Sequence, residues 1–151
     1  MKELDEKKII VILDNNEENE DLIKSLLNNK KVDVTIKDNY LERKIIEILT
    51  KLGMPSNING HRYLKEALRL SVIDSNYYIH PFIELYPTLS RKFNVKNYLI
   101  EKSIRDAISI TWNRGNYDFQ EELFGYTINR EKGKPTNSEF LALIANYINT
   151  N

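Results

Sequence analysis

From Tyr40 to the end of this 151-residue chain the apolar residues recur at helical spacing, and that periodicity limits the fold more than any other feature. Leu41, Ile45, Ile46, Ile48, Leu49 and Leu52 form one stripe. Gly53, followed by Met54-Pro55, stops it, because glycine takes the left-handed conformation of a helix end without strain. Tyr63, Leu64, Ala67, Leu68 and Leu70 predict a second helix after Asn59-Gly60. Residues 83–93 predict a third, with Pro87 tolerated in a first turn, and Asn94 breaks the pattern. Ile100, Ile104, Ala107, Ile108 and Thr111 place a fourth over 97–113, closed by Gly115. A short fifth covers 119–124 and ends at Gly125. Thr136-Asn137-Ser138-Glu139 is a capping box, hydroxyl and carboxylate each satisfying the other's orphan amide, and it opens the last helix. The expectation is a mainly α domain of about six helices over residues 40–151.

Residues 1–39 read differently. The β-branched run at 7–13 fits a buried strand ending at Asp14-Asn15-Asn16, residues 19–27 fit a helix, and Val32, Val34 and Ile36 alternate as a second strand. This β-α-β segment is too small to be stable alone, so it needs the rest of the chain or another copy. The acids Glu17, Glu18, Glu20 and Asp21 suit the positive end of that helix. They lack the glycine and terminal glutamate of a calcium loop.

Composition removes much catalytic chemistry. With no cysteine there is no disulfide, thiolate zinc site or cysteine nucleophile, and His61 and His80 have no carboxylate at metal-like spacing, so they read as packing or surface residues. No serine, histidine and acid arrangement, Gly-rich phosphate loop or paired-carboxylate site is discernible, which predicts neither an enzyme nor a cofactor. No apolar run approaches the roughly 20 residues of a membrane helix, and no signal sequence opens the chain; the expectation is a cytoplasmic protein with no membrane partner.

Charge is balanced in sum, 22 basic residues against 22 acidic, but not in place. Residues 1–39 hold seven Lys against ten acids, whereas 91–114 hold Arg91, Lys92, Lys96, Lys102, Arg105 and Arg114 against only Glu101 and Asp106. Such a basic stripe is either a solvated helix face or a footprint for phosphates. The third and fourth helices, joined by the turn at 94–96, have the length and connection of a helix-turn-helix. With its apolar stripe inward, the fourth helix turns Tyr98, Glu101, Lys102 and Arg105 outward, on a face that suits a DNA major groove. Lys can hydrogen-bond guanine, Glu can accept from cytosine, and Arg91, Lys92 and Lys96 flank the helix start where phosphates would lie. Lys132 and Lys134, in the basic loop before the last helix, are a second candidate phosphate set beside a helix N-terminus. Any amphipathic surface helix has such a face, so spacing alone leaves both readings open. Trp112, Phe124, Tyr126 and Phe140 read as helical core.

The stretches L-G-M-P (52–55), Y-L-K-E-A-L (63–68), L-Y-P-T-L-S-R-K-F-N (85–94), W-N-R-G-N (112–116), L-F-G-Y-T (123–127) and K-P-T-N-S-E-F (134–140) resemble the C-terminal effector domain of the stage-zero sporulation protein A family, over roughly residues 42–148. The resemblance implies an all-helical effector whose helix-turn-helix reads double-stranded DNA at a TGTCGAA-type box, with self-association of copies in tandem. Where the family's recognition helix typically reads S-R-V-E-R-A-I-R-H, positions 98–106 read Y-L-I-E-K-S-I-R-D. Glu101 and Arg105 are kept. Lys102 replaces an arginine and loses its planar fork, Leu99 replaces another, and Asp106 replaces a histidine, so altered box recognition is expected. The family places a phosphorylated receiver domain ahead of the effector. Residues 7–38 resemble only its first strand, helix and second strand, with Asp14 kept from the acidic pair and Asn15 in place of the second acid. The resemblance therefore implies a truncated receiver at 1–39, no phosphorelay input, and DNA binding independent of phosphorylation. The alternative is an antagonist that pairs with a full-length sporulation regulator instead of reading DNA.

Overall fold

The structure, a computed structural model, describes residues 30–125 and 133–151, with side-chain surroundings from residue 39 onward. Among the described residues there are seven α-helices and no strand: α1 Lys30–Leu52, α2 Asn59–Ile73, α3 Asn76–Ile79, α4 Tyr86–Phe93, α5 Asn97–Arg114, α6 Tyr117–Phe124 and α7 Asn137–Thr150. A π-helical turn, Pro81–Leu85, leads into α4. By compactness the chain divides after Arg43, and residues 44–151 form one unit.

The alternation at Val32, Val34 and Ile36 is not a strand: it falls inside α1. Three alternating residues gain nothing as a strand without neighbours to pair with. Val32, Ile36 and Tyr40 also recur every fourth residue, and they run directly into the helical stripe that begins at Leu41. The strand expected at 7–13 and the helix expected at 19–27 lie outside the described residues.

The helical core follows the predicted stripes. Ile45, Ile48, Leu49 and Leu52 of α1, Leu64, Ala67 and Leu68 of α2, Ile100, Ile104, Ala107 and Ile108 of α5, and Leu141, Ile144 and Ala145 of α7 are all buried. At about 1.5–3 kcal/mol for each large aliphatic side chain, this burial outweighs local propensity in fixing the helices. Gly53 ends α1 with φ 85°, and Met54 N–H returns to the Leu49 carbonyl at 3.0 Å. Gly53 also lies against the turn after α5, where a Cβ would stand 2.7 Å from Gly115 Cα. Asn116 N–H donates to the Leu52 carbonyl at 2.9 Å, so the ends of α1 and α5 are joined.

The third predicted helix is split. Pro87 sits in the first turn of α4, where its missing N–H costs nothing, but its ring would press on the carbonyl four residues back if an α-helix continued through it. The turn before it widens instead, and Tyr86 N–H reaches the Pro81 carbonyl. Two caps then set the C-terminal half. Asn116 Oδ1 accepts from Phe119 N–H at 3.2 Å to start α6, and Thr136 and Glu139 form the predicted capping box of α7, with Glu139 N–H to Thr136 Oγ1 at 3.2 Å and Thr136 N–H to Glu139 Oε1 at 2.9 Å. Trp112 of α5 meets Phe124 edge-on at 5.0 Å between ring centroids, and Phe124 stacks on Phe140 at 5.7 Å. Of the four aromatics expected in the core, Phe124 and Phe140 are buried, Trp112 is half-buried against them, and Tyr126 lies outside the described residues.

Candidate nucleic-acid interface

The turn between α4 and α5 is made by Asn94, which takes the left-handed conformation at φ 55° and tolerates it as an asparagine can. Val95 N–H closes back on the Ser90 carbonyl at 3.3 Å, and Lys96 caps α5 with extended backbone. Arg91 and Lys92 occupy the last turn of α4, where cations suit the helix dipole.

Helix α5 buries Ile100, Ile104, Ala107, Ile108 and Thr111 and turns its other side to solvent. Tyr98 is 64% exposed, and Lys102 and Arg105 follow it at i+4 and i+7 on the same side. Glu101 is half-buried on one flank of that face, where Arg105 Nη1 donates to both its oxygens at 2.5 and 2.8 Å. Lys102 Nζ donates to Asp106 Oδ2 at 2.6 Å. Each cation of the face is thus matched by a carboxylate one turn away, and the four charges cancel.

The flanking cations differ in their engagement. Arg91 and Lys96 are exposed, and Arg91 makes one long hydrogen bond to Thr88 Oγ1 at 3.4 Å. Lys92 reaches across to Glu66 of α2, Nζ to Oε2 at 2.8 Å. Glu66 is 7% exposed and is also gripped by Arg69, whose Nε lies 2.7 Å from Oε1. Burial alone would push the Glu66 carboxyl up, but the hydrogen bonds from Arg69 and Lys92 and their charges hold it below the ordinary carboxylate value. Lys134 Nζ donates to Ser109 Oγ, which brings a cation of the loop before α7 onto the outer face of α5, one turn beyond Arg105. Arg105, Lys134 and Asn137 line one open groove with Phe82 and Tyr86. Lys132 lies outside the described residues.

The structure therefore gathers Tyr98, Lys102, Arg105 and Lys134 on one side of α5, with Glu101 at its edge, and sets Lys92 apart on a bridge to α2. Sequence reasoning missed three residues that shape this region. Asn137 Nδ2 donates to Tyr86 Oη at 3.0 Å and to the Glu101 carbonyl at 3.2 Å, tying the start of α7 to α4 and α5. Glu66 fixes Lys92 through a contact 26 residues apart that no local pattern announces. Arg62 of α2 lies over the rings of Phe93 and Tyr63, at 5.0 and 5.1 Å from their centroids. Its signal was present: Arg62, Lys65 and Arg69 stand at i, i+3 and i+7.

The family model described as sporulation initiation factor Spo0A C terminal matches residues 45–148. The chain belongs to this family. The matched span includes the helix-turn-helix of α4 and α5 and the whole of the outward face described above. Spo0A C-terminal domains are DNA-binding domains of sporulation regulators, not an enzyme family, and DNA is the partner of this domain. Among the described residues no helix is long and apolar enough to cross a membrane, and no group of three His, Asp or Glu side chains could hold a metal ion.

Proposed function

We propose that this chain is a sequence-specific transcriptional regulator that reads a TGTCGAA-type box without needing phosphorylation. Tyr98, Glu101, Lys102 and Arg105 face the bases, while Arg91, Lys92, Lys96, Lys132 and Lys134 contact phosphates, with copies bound in tandem. The observation that carries this reading is the exposure of Tyr98, Lys102 and Arg105 on a single side of α5, in a helix-turn-helix that the family match spans. Lys134 supports it from the neighbouring loop, since its bond to Ser109 adds a cation to that side. Independence from phosphorylation rests on Asn15, an uncharged residue where a magnesium-binding acidic pair would need a carboxylate.

Fluorescence anisotropy on box and scrambled duplexes at about 150 mM salt tests it, since affinity depends steeply on salt. A preference for the box of about a thousandfold or more is expected. Equal and weak binding to both would reject base reading, and a change in affinity after acetyl phosphate treatment would reject the independence. The second reading, a protein-contact antagonist of a full-length regulator, draws on the mutual cancellation of Glu101, Lys102, Arg105 and Asp106, which leaves these four side chains of α5 without net charge. A stable complex with a full-length family member in the absence of DNA would favour it.

A further inference from the structure

Arg62 differs from the other cations near the helix-turn-helix in what holds it. Lys92, Lys102 and Arg105 each grip a carboxylate. Among the described residues Arg62 is held by rings: its guanidinium lies 5.0 Å from the Phe93 centroid and 5.1 Å from that of Tyr63, and Nη2 donates to Tyr63 Oη at 3.3 Å. The two rings pack on each other at 5.1 Å, and Tyr63 is buried. A guanidinium held over ring faces and by one hydroxyl keeps its other N–H donors available. The charge is kept, unlike that of a cation already matched by an acid.

Position points the same way. Phe93 is the last residue of α4, immediately before the turn into α5, and Lys92 lies 5.8 Å from the same ring. The first turn of α2 is fixed against α5, because Gly60 meets the Ser103 carbonyl so closely that a Cβ could not fit. Arg62 is therefore carried on a helix whose first turn is fixed against α5. We infer that Arg62 is a DNA phosphate contact of this domain, pre-ordered on Phe93 and Tyr63 so that it meets the backbone beside the start of α5. It adds an exposed charge at that position beside Lys92, whose Nζ is also bridged to Glu66.

This inference rests on the DNA-binding reading above, and the test separates the two. Wild-type protein, Arg62→Ala and Arg62→Lys are titrated with box and scrambled duplexes over about 50 to 200 mM salt. Arg62→Ala should weaken binding to both duplexes by the same factor and reduce the slope of log affinity against log salt by about one unit. Arg62→Lys should restore the slope, because it returns the charge without the stacked plane. A wild-type slope in Arg62→Ala overturns the assignment while leaving DNA binding intact. Wild-type protein without salt-dependent binding to either duplex overturns both readings together.

Discussion

Lys102 Nζ stands 2.6 Å from Asp106 Oδ2, one turn along the same face of α5, with 57% and 50% of the two side chains exposed. An exposed pair at this spacing contributes only about 0.3–0.5 kcal/mol, so it holds Lys102 loosely and yields to a better acceptor. On the proposed DNA-binding reading the carboxylate matters more, because it brings a negative charge to the side of α5 assigned to the groove. Asp106→Asn should leave stability within about 0.5 kcal/mol of wild type. It should tighten binding to box and scrambled duplexes alike, by about fivefold, the worth of about 1 kcal/mol for one charge near a phosphate in water. Anisotropy titrations at fixed salt read this directly; unchanged affinity would mean that Asp106 stays outside the interface.

Lys102 itself should behave in the opposite way. A base contact discriminates by about 1–3 kcal/mol against the wrong base, whereas a phosphate contact does not discriminate. Lys102→Ala should therefore lower the ratio of box to scrambled affinity, where Lys134→Ala should lower both affinities and flatten the salt dependence by about one unit. Equal losses for both variants on both duplexes would reject the division of roles.

Asn137 ties three helices through one amide, with Nδ2 donating to Tyr86 Oη at 3.0 Å and to the Glu101 carbonyl at 3.2 Å. Tyr86 is 2% exposed, so its hydroxyl has little recourse to water if Asn137 is removed. Asn137→Ala should cost about 1–3 kcal/mol, the loss of two hydrogen bonds with one buried group left unpaired. The readout is the midpoint of urea unfolding, and an unshifted midpoint would show that the bonds are not stabilising.

Much of this was legible from local pattern. The stripes at Ile100, Ile104, Ala107, Ile108 and Thr111 gave the buried side of α5, and the Thr136 to Glu139 spacing gave the α7 capping box, because both depend on residues within a few positions of each other. The π turn at Pro81–Leu85 was not legible, since it is a compromise between Pro87 and the helix that precedes it. The Glu66 bridge to Lys92 was equally hidden, because it exists only once α2 and α4 pack. The strand expected at Val32 to Ile36 failed because Val32 and Ile36 also stand four residues apart, a helical spacing that runs on through Tyr40, and no strand occurs among the described residues to pair with it.

Gly60 shows how closely α2 lies on the recognition helix. A Cβ there would overlap the Ser103 carbonyl and come within 2.5 Å of Ala107 Cβ. Backbone cannot move aside as a flexible side chain would, so Gly60→Ala should force α2 away from α5 and destabilise the domain by about 1–3 kcal/mol. This exceeds the gain of about 1 kcal/mol that alanine ordinarily brings over glycine within a helix. Thermal unfolding would decide the sign, and a stabilised variant would show that the two helices separate easily.

Acid should weaken the domain in two stages. His61 is 6% exposed, and burial foremost, then the Lys65 charge, hold its pKa below the ordinary 6.5. The unfolded chain takes up that proton first, so the stability from neutral His61 is present above about pH 6.5 and declines as pH falls toward the folded-state value. Glu66 acts later. Burial opposes its ionisation, yet Arg69 and Lys92 hold it below the ordinary 4.5, so its contribution is present above that pH and is lost as pH falls further. His61→Gln should flatten the change in urea midpoint between about pH 5 and 7 while leaving the lower stage in place. Glu66→Gln should remove the lower stage and cost about 1–3 kcal/mol at neutral pH; Arg69 and Lys92, 33% and 54% exposed, regain water when the carboxylate is gone, which keeps the loss below that of a fully buried pair. A single transition shared by both variants would mean that neither group titrates separately in folding.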